Sequence, residues 1–475
     1  VELSKILLNY LEQDQNKIVF ADENGSDDLK TFKEKINFYI GKIQHFKKLN
    51  SLKKNSNIGV GILLDRNIDY FCIIFASWLT NCFFLPLSKE SKKNNINYQL
   101  KLSNVAILFE NRKKSVFIKK NIFFKKKIFL LNKNNNIAYI IFTSGSTGNK
   151  KGVMISRLNV EYYYESIKKI TKKISFKSIL MTTELIFDMC IGDLIFSLIK
   201  KSKIILTSSA SNLISLFNLM KIHKPEEIYA VPTTWKKIIN FSDKFDNSSF
   251  TNVKLVTSGG EALTKSIVKN LIKLFPNAKI LNLYGPTEFT VNVSYFYINK
   301  KNFLKYEIMP LGKKLKNAYI TIKEEKKNYG ELLLAGNHKM LGYLDNIKTP
   351  DIYHNGKKFY ATGDIVFLDK NKDINFVGRK SDYIKVSGYR VNLSSLERII
   401  KKYLKLEICL ISKFDKIHMF IFNKKDKKIL KHLDKILKKY FERYEVPSSI
   451  SFLNKMPINS NGKLDKVKLA EIIKK

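Results

Sequence analysis

Tyr139-Ile140-Ile141-Phe142-Thr143-Ser144-Gly145-Ser146-Thr147-Gly148-Asn149-Lys150-Lys151-Gly152-Val153-Met154 opens as an apolar run of the length of a buried strand. It then passes through Thr, Ser and Gly to paired lysines, and turns apolar again. Glycine lets backbone amides come close to an oxyanion, hydroxyls add donors, and a lysine ammonium adds mobile positive charge. That composition is a cradle for a polyphosphate. It is not the Gly-x-x-x-x-Gly-Lys-Ser/Thr phosphate loop, because Gly152 follows Lys151 and no clear helix start comes at once. A linker or a surface hairpin has the same composition, so the assignment rests on partners elsewhere in the chain.

On the N-terminal side, apolar spacing predicts helices over Leu29 to Lys47 and Tyr70 to Leu79. Strands are expected over Ile58 to Leu64, Cys82 to Leu87 and Val105 to Phe109, and a surface loop over Asn132 to Asn136. Beyond the quoted stretch come a helix at Leu158 to Thr171, whose Tyr162, Tyr163 and Tyr164 read as packing, and another at Leu213 to His223. A strand at Glu227 to Val231 is closed by Pro232; strands at Lys254 to Ser258 and Lys279 to Leu283 flank a helix at Lys265 to Phe275. Strand and helix in alternation imply parallel sheets covered by helices. After Met309 short strands with Gly and Asn turns follow, at Ala318 to Ile322, Glu331 to Ala335, Ile365 to Leu368 and Ile374 to Val377, and mark a β-rich subdomain. The last hundred or so residues return to a small α+β alternation.

With 475 residues and 44% hydrophobic content the chain can bury substantial cores, and at least two domains are expected. The net charge of +43 would ordinarily point to nucleic acid or an anionic membrane. The lysines are spread in short runs along the whole length, such as Lys125-Lys126-Lys127, and read as solvated faces; nucleic acid is not expected as a partner. Cys72, Cys82, Cys190 and Cys409 are scattered in apolar settings and read as buried thiols in a reducing compartment. The run Ile68 to Leu87 contains Asp69, Asn81 and Pro86, so a buried helix followed by a strand is expected in place of a membrane span. No charged-then-apolar leader opens the sequence, and a cytoplasmic monomer is expected.

From about Phe83 to Leu469 the chain resembles the adenylate-forming superfamily. Within it the likeness is to the amino-acid-activating branch, the adenylation domains of nonribosomal peptide synthetases and the free-standing D-alanine carrier-protein ligases. The resemblance rests on Thr143 to Gly152, Tyr284-Gly285-Pro286-Thr287-Glu288, Gly330-Glu331-Leu332 with Gly342-Tyr343, and Tyr360-Ala361-Thr362-Gly363-Asp364. It continues with Gly378-Arg379 and Gly388-Tyr389-Arg390, and ends with Asn461-Gly462-Lys463-Leu464-Asp465. It implies a large N-terminal domain over residues 1–378, made of two layered α/β subdomains plus the β-rich one. A small mobile α+β lid over residues 379–475 would carry a catalytic lysine. The activity implied is ATP- and Mg2+-dependent adenylation of a carboxylate and transfer of the acyl group to a thiol. In-line attack by a carboxylate on the α-phosphate brings anions together, so charge neutralisation and alignment carry such chemistry.

By resemblance Thr143, Ser144, Gly145, Ser146, Thr147, Gly148 and Lys151 wrap the phosphates, and Glu288 is the magnesium ligand. Tyr284 lies on the adenine, with Asn282 on its edge and Gly259, Gly285 and Thr287 beside the nucleotide. Asp364 accepts from the ribose hydroxyls, with Arg379 near the ribose and Phe376 near the base, and Lys463 bridges the substrate carboxylate and the α-phosphate. Phe187-Asp188 stands where amino-acid-activating members hold the α-ammonium. Extending from the motifs, Met189, Gly192, Ala230, Val256, Ser258, Leu283, Val291 and Asn292 are expected as the pocket walls, which suits a small or medium uncharged amino acid. The sequence departs from the pattern at Lys150, Arg157, Ser381 and Asn392. The acceptor implied is a phosphopantetheinylated carrier protein acting in trans. An acyl-CoA or aryl-acid synthetase of the same superfamily and a catalytically silent nucleotide- or carrier-binding protein are the alternatives.

Overall fold

The computed structural model describes residues 2–112, 115–125, 136–144, 150–209, 212–243, 247–380, 383–386, 389–413, 416–441, 445–458 and 464–473. Contacts divide the chain into one unit of residues 1–321, 334–360 and 370–375 and another of residues 322–333, 361–369 and 376–475.

Two sheets organise the larger unit. In the first, six parallel strands run in the order Ile18–Asp22, Lys203–Leu206, Ser178–Met181, Glu227–Ala230, Leu255–Gly259 and Lys279–Tyr284. Antiparallel strands extend both edges, Gly25–Asp28 on one side and Ser294–Ile298 with Lys313–Lys314 on the other. In the second, Ile107–Arg112, Gly59–Leu63, Phe83–Pro86 and Ile137–Ser144 are parallel. Ser115–Lys120 pairs antiparallel at one edge, and Lys150–Ser156 followed by Gly342–Tyr343 at the other. Strands such as Phe83–Pro86 are buried at every residue, as strands covered on both faces are.

The run Ile68 to Leu87 resolves as expected into a helix, Ile68–Leu79, and the strand Phe83–Pro86. Asn67 caps the helix by accepting from the Tyr70 amide, a contact worth about 1 kcal/mol. Phe71, Ile73, Ile74 and Trp78 are fully buried around its circumference, each contributing about 2–3 kcal/mol. No helix among the described residues is long and apolar enough to cross a membrane. All four cysteines are buried and unpaired. Among the helices not anticipated are Leu3–Leu11, Lys93–Leu102 and Pro232–Ser242; in the last, Pro232 does not merely close a strand but occupies the first turn, where a missing amide and a fixed φ are assets.

A five-stranded sheet follows in the order Ala318–Lys326, Tyr329–Gly336, Lys357–Leu368 and Asp351–His354, with Ile374–Arg379 also paired to Lys357–Leu368. The smaller unit has its own core. There Ile408–Lys413, Lys416–Ile421 and Ser449–Phe452 form a sheet covered by the helices Leu393–Leu404 and Lys427–Tyr440, with Ile400, Leu410, Met419 and Leu433 between them.

Candidate functional site

The quoted stretch forms two antiparallel strands in which Thr143 stands opposite Lys151 and Ser144 opposite Lys150. Ala138, Tyr139, Ile140 and Ile141 are buried and anchor the first strand, while Thr143 and Lys151 emerge partly exposed. A Cβ on Gly152 would lie 2.5 Å from Leu344 Cδ1, so a larger residue there would push the Leu344 side chain aside. A helix, Arg157–Ile170, begins only after the second strand, closed by reciprocal bonds between Ser156 and Asn159. Gly145, Ser146, Thr147 and Gly148 lie outside the described residues, as do Lys463, Ser381, Gly388 and positions 132–135 of the expected surface loop; of Ser144 only the backbone is described.

Gly342–Tyr343 pairs with the outer edge of the Lys150–Ser156 strand, Tyr343 opposite Val153, and so brings the Tyr343 ring beneath Lys151, whose Nζ is 5.4 Å from its centroid. The Tyr343 hydroxyl donates to Glu288 Oε1 at 2.6 Å and lies 3.2 Å from the Tyr360 hydroxyl. Glu288 occupies a single turn, Thr287–Phe289, fixed by buried Phe289 and by the Met340 amide donating to the Glu288 carbonyl at 2.7 Å. Thr290 and Val291 follow at φ 52° and 67°, a left-handed conformation strained for β-branched residues. It folds the chain back so closely that a Cβ on Gly285 would come 2.5 Å from Asn292 Cα; Gly285 is the residue that permits the loop.

Asp188 precedes the helix Met189–Lys200. Burial pushes its carboxyl up to about 6; the Thr287 hydroxyl pulls it down and the Glu288 charge pushes it further up, so Asp188, Thr287 and Glu288 are neighbours. The buried phenols of Tyr139, Tyr163 and Tyr229 also feel the Asp188 charge. A Cβ on Gly192 would meet Val291 Cγ1 at 3.1 Å, Tyr229 at 3.4 Å and the Tyr163 hydroxyl at 3.5 Å, and Tyr163 donates to Asn292 Oδ1 at 2.8 Å. A Cβ on Gly259 would meet the Tyr229 hydroxyl at 2.8 Å and the Leu283 carbonyl at 2.9 Å; one on Gly260 would meet Met189 Sδ at 3.4 Å. Asp188, Met189, Gly192, Gly259, Leu283, Val291 and Asn292 are therefore brought together.

Ala230, Val256 and Ser258 are not. Ala230 and Val256 belong to the apolar core with Leu216, Met220 and Trp235, and Ser258, in register with Ala230, shares their face of the sheet. Side chains alternate along a strand, so extending outward from the motifs with a slip of one residue moved all three to the wrong face. Their neighbours Tyr229, Thr257 and Gly259 carry the face toward Gly192. Tyr163 was read as packing and Tyr139 as part of a buried strand; both are that, and the phenols of both also feel the Asp188 charge. Strict period-two reading of Glu227-Ile228-Tyr229-Ala230 would have found Tyr229. Asn282 is buried with its amide donating to the Pro310 carbonyl at 2.9 Å, on the sheet face shared by Ser258 and Ala230; Tyr284, beyond it at the strand end, is partly exposed.

In the smaller unit Arg379 Nη1 donates to Asp364 Oδ1 at 2.6 Å, and the Asp364 amide donates to Thr362 Oγ1 at 3.0 Å. Gly363, at φ 72°, turns its amide to Glu331 Oε1 at 3.1 Å, and Lys380 donates to Glu331 Oε2 at 2.8 Å. Phe376 is partly buried in the strand Ile374–Arg379 that ends in Arg379. Asp364, expected to accept from the ribose hydroxyls, is ion-paired to Arg379.

The family model described as "AMP-binding enzyme" matches residues 47–344. Bacitracin synthase 2 of Bacillus licheniformis is 26% identical over 448 residues, covering 87% of this chain but 17% of that protein. The D-alanine--D-alanyl carrier protein ligase of Staphylococcus aureus (strain Newman) is 28% identical over 355 residues, covering 72% of each. Among solved structures, Klebsiella oxytoca NpsA in complex with 3-hydroxyanthranilyl-AMSN superposes with TM-score 0.78 at 16% identity over 99% of both chains. The Bacillus subtilis o-succinylbenzoate CoA synthetase in complex with its acyl-adenylate superposes with TM-score 0.79 at 16% identity over 99% of this chain and 98% of that one. At such identity these likenesses are of fold alone. With the family model spanning well over half of its length, this chain belongs to the AMP-binding enzyme family and is an adenylate-forming ligase.

Proposed function

We propose that the chain activates an amino acid: a carboxylate oxygen attacks the α-phosphorus of ATP, the bond to the bridging oxygen of pyrophosphate breaks, and an aminoacyl-AMP results. The thiol sulfur of a phosphopantetheinylated carrier protein then attacks the acyl carbon, AMP leaves, and the thiol proton passes to solvent. The observation that carries the proposal is Asp188, a carboxyl held at about 6 by burial, whose charge the buried phenols of Tyr139, Tyr163 and Tyr229 feel, with no described cation in an ion pair with it. A substrate α-ammonium would supply that charge, and a buried carboxylate is stabilised in its ionised form by such a partner. The names of the two curated relatives, a bacitracin synthase and a ligase of D-alanine to a carrier protein, support the same choice.

In this proposal residues 1–378 hold ATP and the amino acid, and residues 379–475 form the lid that brings Lys463 to the carboxylate and α-phosphate. Thr143, Ser144, Gly145, Ser146, Thr147, Gly148 and Lys151 hold the phosphates, and Asp364 takes the ribose hydroxyls. Glu288 holds Mg2+. Among the described residues no three His, Cys, Asp or Glu side chains cluster as a metal cage. A single carboxylate suits Mg2+, which keeps several waters and relies on substrate phosphates for the rest of its oxygen shell. When bound, the ion neutralises phosphate charge.

The test is amino-acid-dependent exchange of pyrophosphate into ATP, over L- and D-amino acids and aryl and fatty acids. Activity with amino acids that Asp188→Ala lowers at least about 100-fold is expected. Activity only with acids lacking an α-ammonium, unaffected by Asp188→Ala, would instead make the chain an acyl-CoA or aryl-acid synthetase.

A further inference from the structure

Tyr343 has no part in the chemistry above, yet it stands between two groups that do. Its 2.6 Å bond to Glu288 Oε1 has the length of a charge-assisted phenol–carboxylate contact. Behind it the Tyr360 hydroxyl is 3.2 Å away, and the Tyr360 ring packs edge-on against Phe289, with centroids 5.5 Å apart, locking the turn that bears Glu288. In front, Lys151 Nζ lies within cation–π distance of the ring. The Tyr343 backbone is tied by strand pairing to Val153, two residues from Lys151.

We infer that Tyr343 is a positioning residue for the divalent cation: its hydroxyl pins the Glu288 carboxylate through Oε1, and its ring steadies Lys151 on the neighbouring strand. The inference rests on Glu288 being the magnesium ligand. A free glutamate loses rotamer freedom on taking up an ion, whereas one already held through one oxygen has lost it beforehand; partners of this kind govern metal affinity without touching the metal. Tyr343 also separates two contributions within one side chain, since the hydroxyl serves Glu288 and the ring serves Lys151.

The experiment is titration of Mn2+ into the full chain with a non-hydrolysable ATP analogue, free Mn2+ being read by electron paramagnetic resonance. Tyr343→Phe keeps the ring and removes the hydroxyl. It is expected to weaken Mn2+ binding roughly 10-fold, while binding of the analogue without metal changes less than about twofold. Tyr360→Phe should weaken it about 3-fold by loosening Tyr343. Wild-type Mn2+ affinity in a folded Tyr343→Phe protein overturns the inference and leaves Glu288 standing if Glu288→Gln loses the ion. Should Tyr343→Phe not fold, unchanged affinity in Tyr360→Phe overturns it instead. Mn2+ binding that Glu288→Gln does not alter removes Glu288 as a ligand and this inference with it.

Discussion

A carboxyl withdrawn from water is penalised only when charged, and that penalty at Asp188 gives stability and function opposite signs. Its ordinary value is 3.8 and its folded value about 6, so between those values the folded chain binds more protons than the unfolded one and stability falls as pH rises. Asp188→Asn is therefore expected to raise the thermal midpoint above pH 6. Asp188 keeps some contact with solvent, which limits the gain to on the order of 1 kcal/mol. The same substitution should remove amino-acid-dependent exchange. In the wild type, kcat/KM for the amino acid should drop about tenfold per pH unit below 6, as the carboxyl that pairs with the ammonium becomes neutral. A profile flat from pH 5 to pH 8 would show that Asp188 holds no ammonium. At this scale the sequence was most legible where a motif forced a backbone shape: Gly285 could be nothing else, because Asn292 leaves no room for a Cβ.

Strands and helices were legible from apolar spacing, but the direction of a side chain within a buried strand was not. Every residue of Glu227–Ala230 and Leu255–Gly259 is buried, so no polar alternation marks which face is which. For the same reason the sequence did not reveal that Glu227, pointing with Tyr229 toward the helix Met189–Lys200, meets Asp193 in the interior. Burial pushes the Glu227 carboxyl from 4.5 to about 8 and Asp193 well above its ordinary range, and neither Glu227 oxygen has a hydrogen-bond partner. Both shifts are upward, so folding is favoured at low pH and loses stability as pH rises toward 8. Urea midpoints measured from pH 5 to pH 8 should decline in the wild type and decline less in Glu227→Gln, whose side chain carries no charge to desolvate. Equal slopes for the two proteins would place the loss elsewhere.

Across the whole molecule the excess of +43 charges acts at long range, where it raises encounter rates with acidic partners and is screened by salt. If the acceptor is an acidic carrier protein, kcat/KM for its loading should fall about tenfold between roughly 50 and 300 mM salt, while a neutral small thiol such as pantetheine changes less than about twofold. Loading indifferent to salt would mean that the lysines are solvated faces without a part in docking. The chain by itself determined the alternating α/β architecture, the β-rich stretch and the family, since the periodicities and the ordered motifs are local properties written in consecutive residues. Tertiary structure decided that Tyr343 and Tyr360 stand behind Glu288, that Arg379 pairs with Asp364, and that Tyr163 and Tyr229, rather than Ala230 and Val256, stand against Gly192. Arg379 and Asp364 are 15 residues apart in sequence and Tyr343 and Glu288 are 55 apart, and only register, close backbone approach and the desolvation of particular side chains choose among the many partners each could have had.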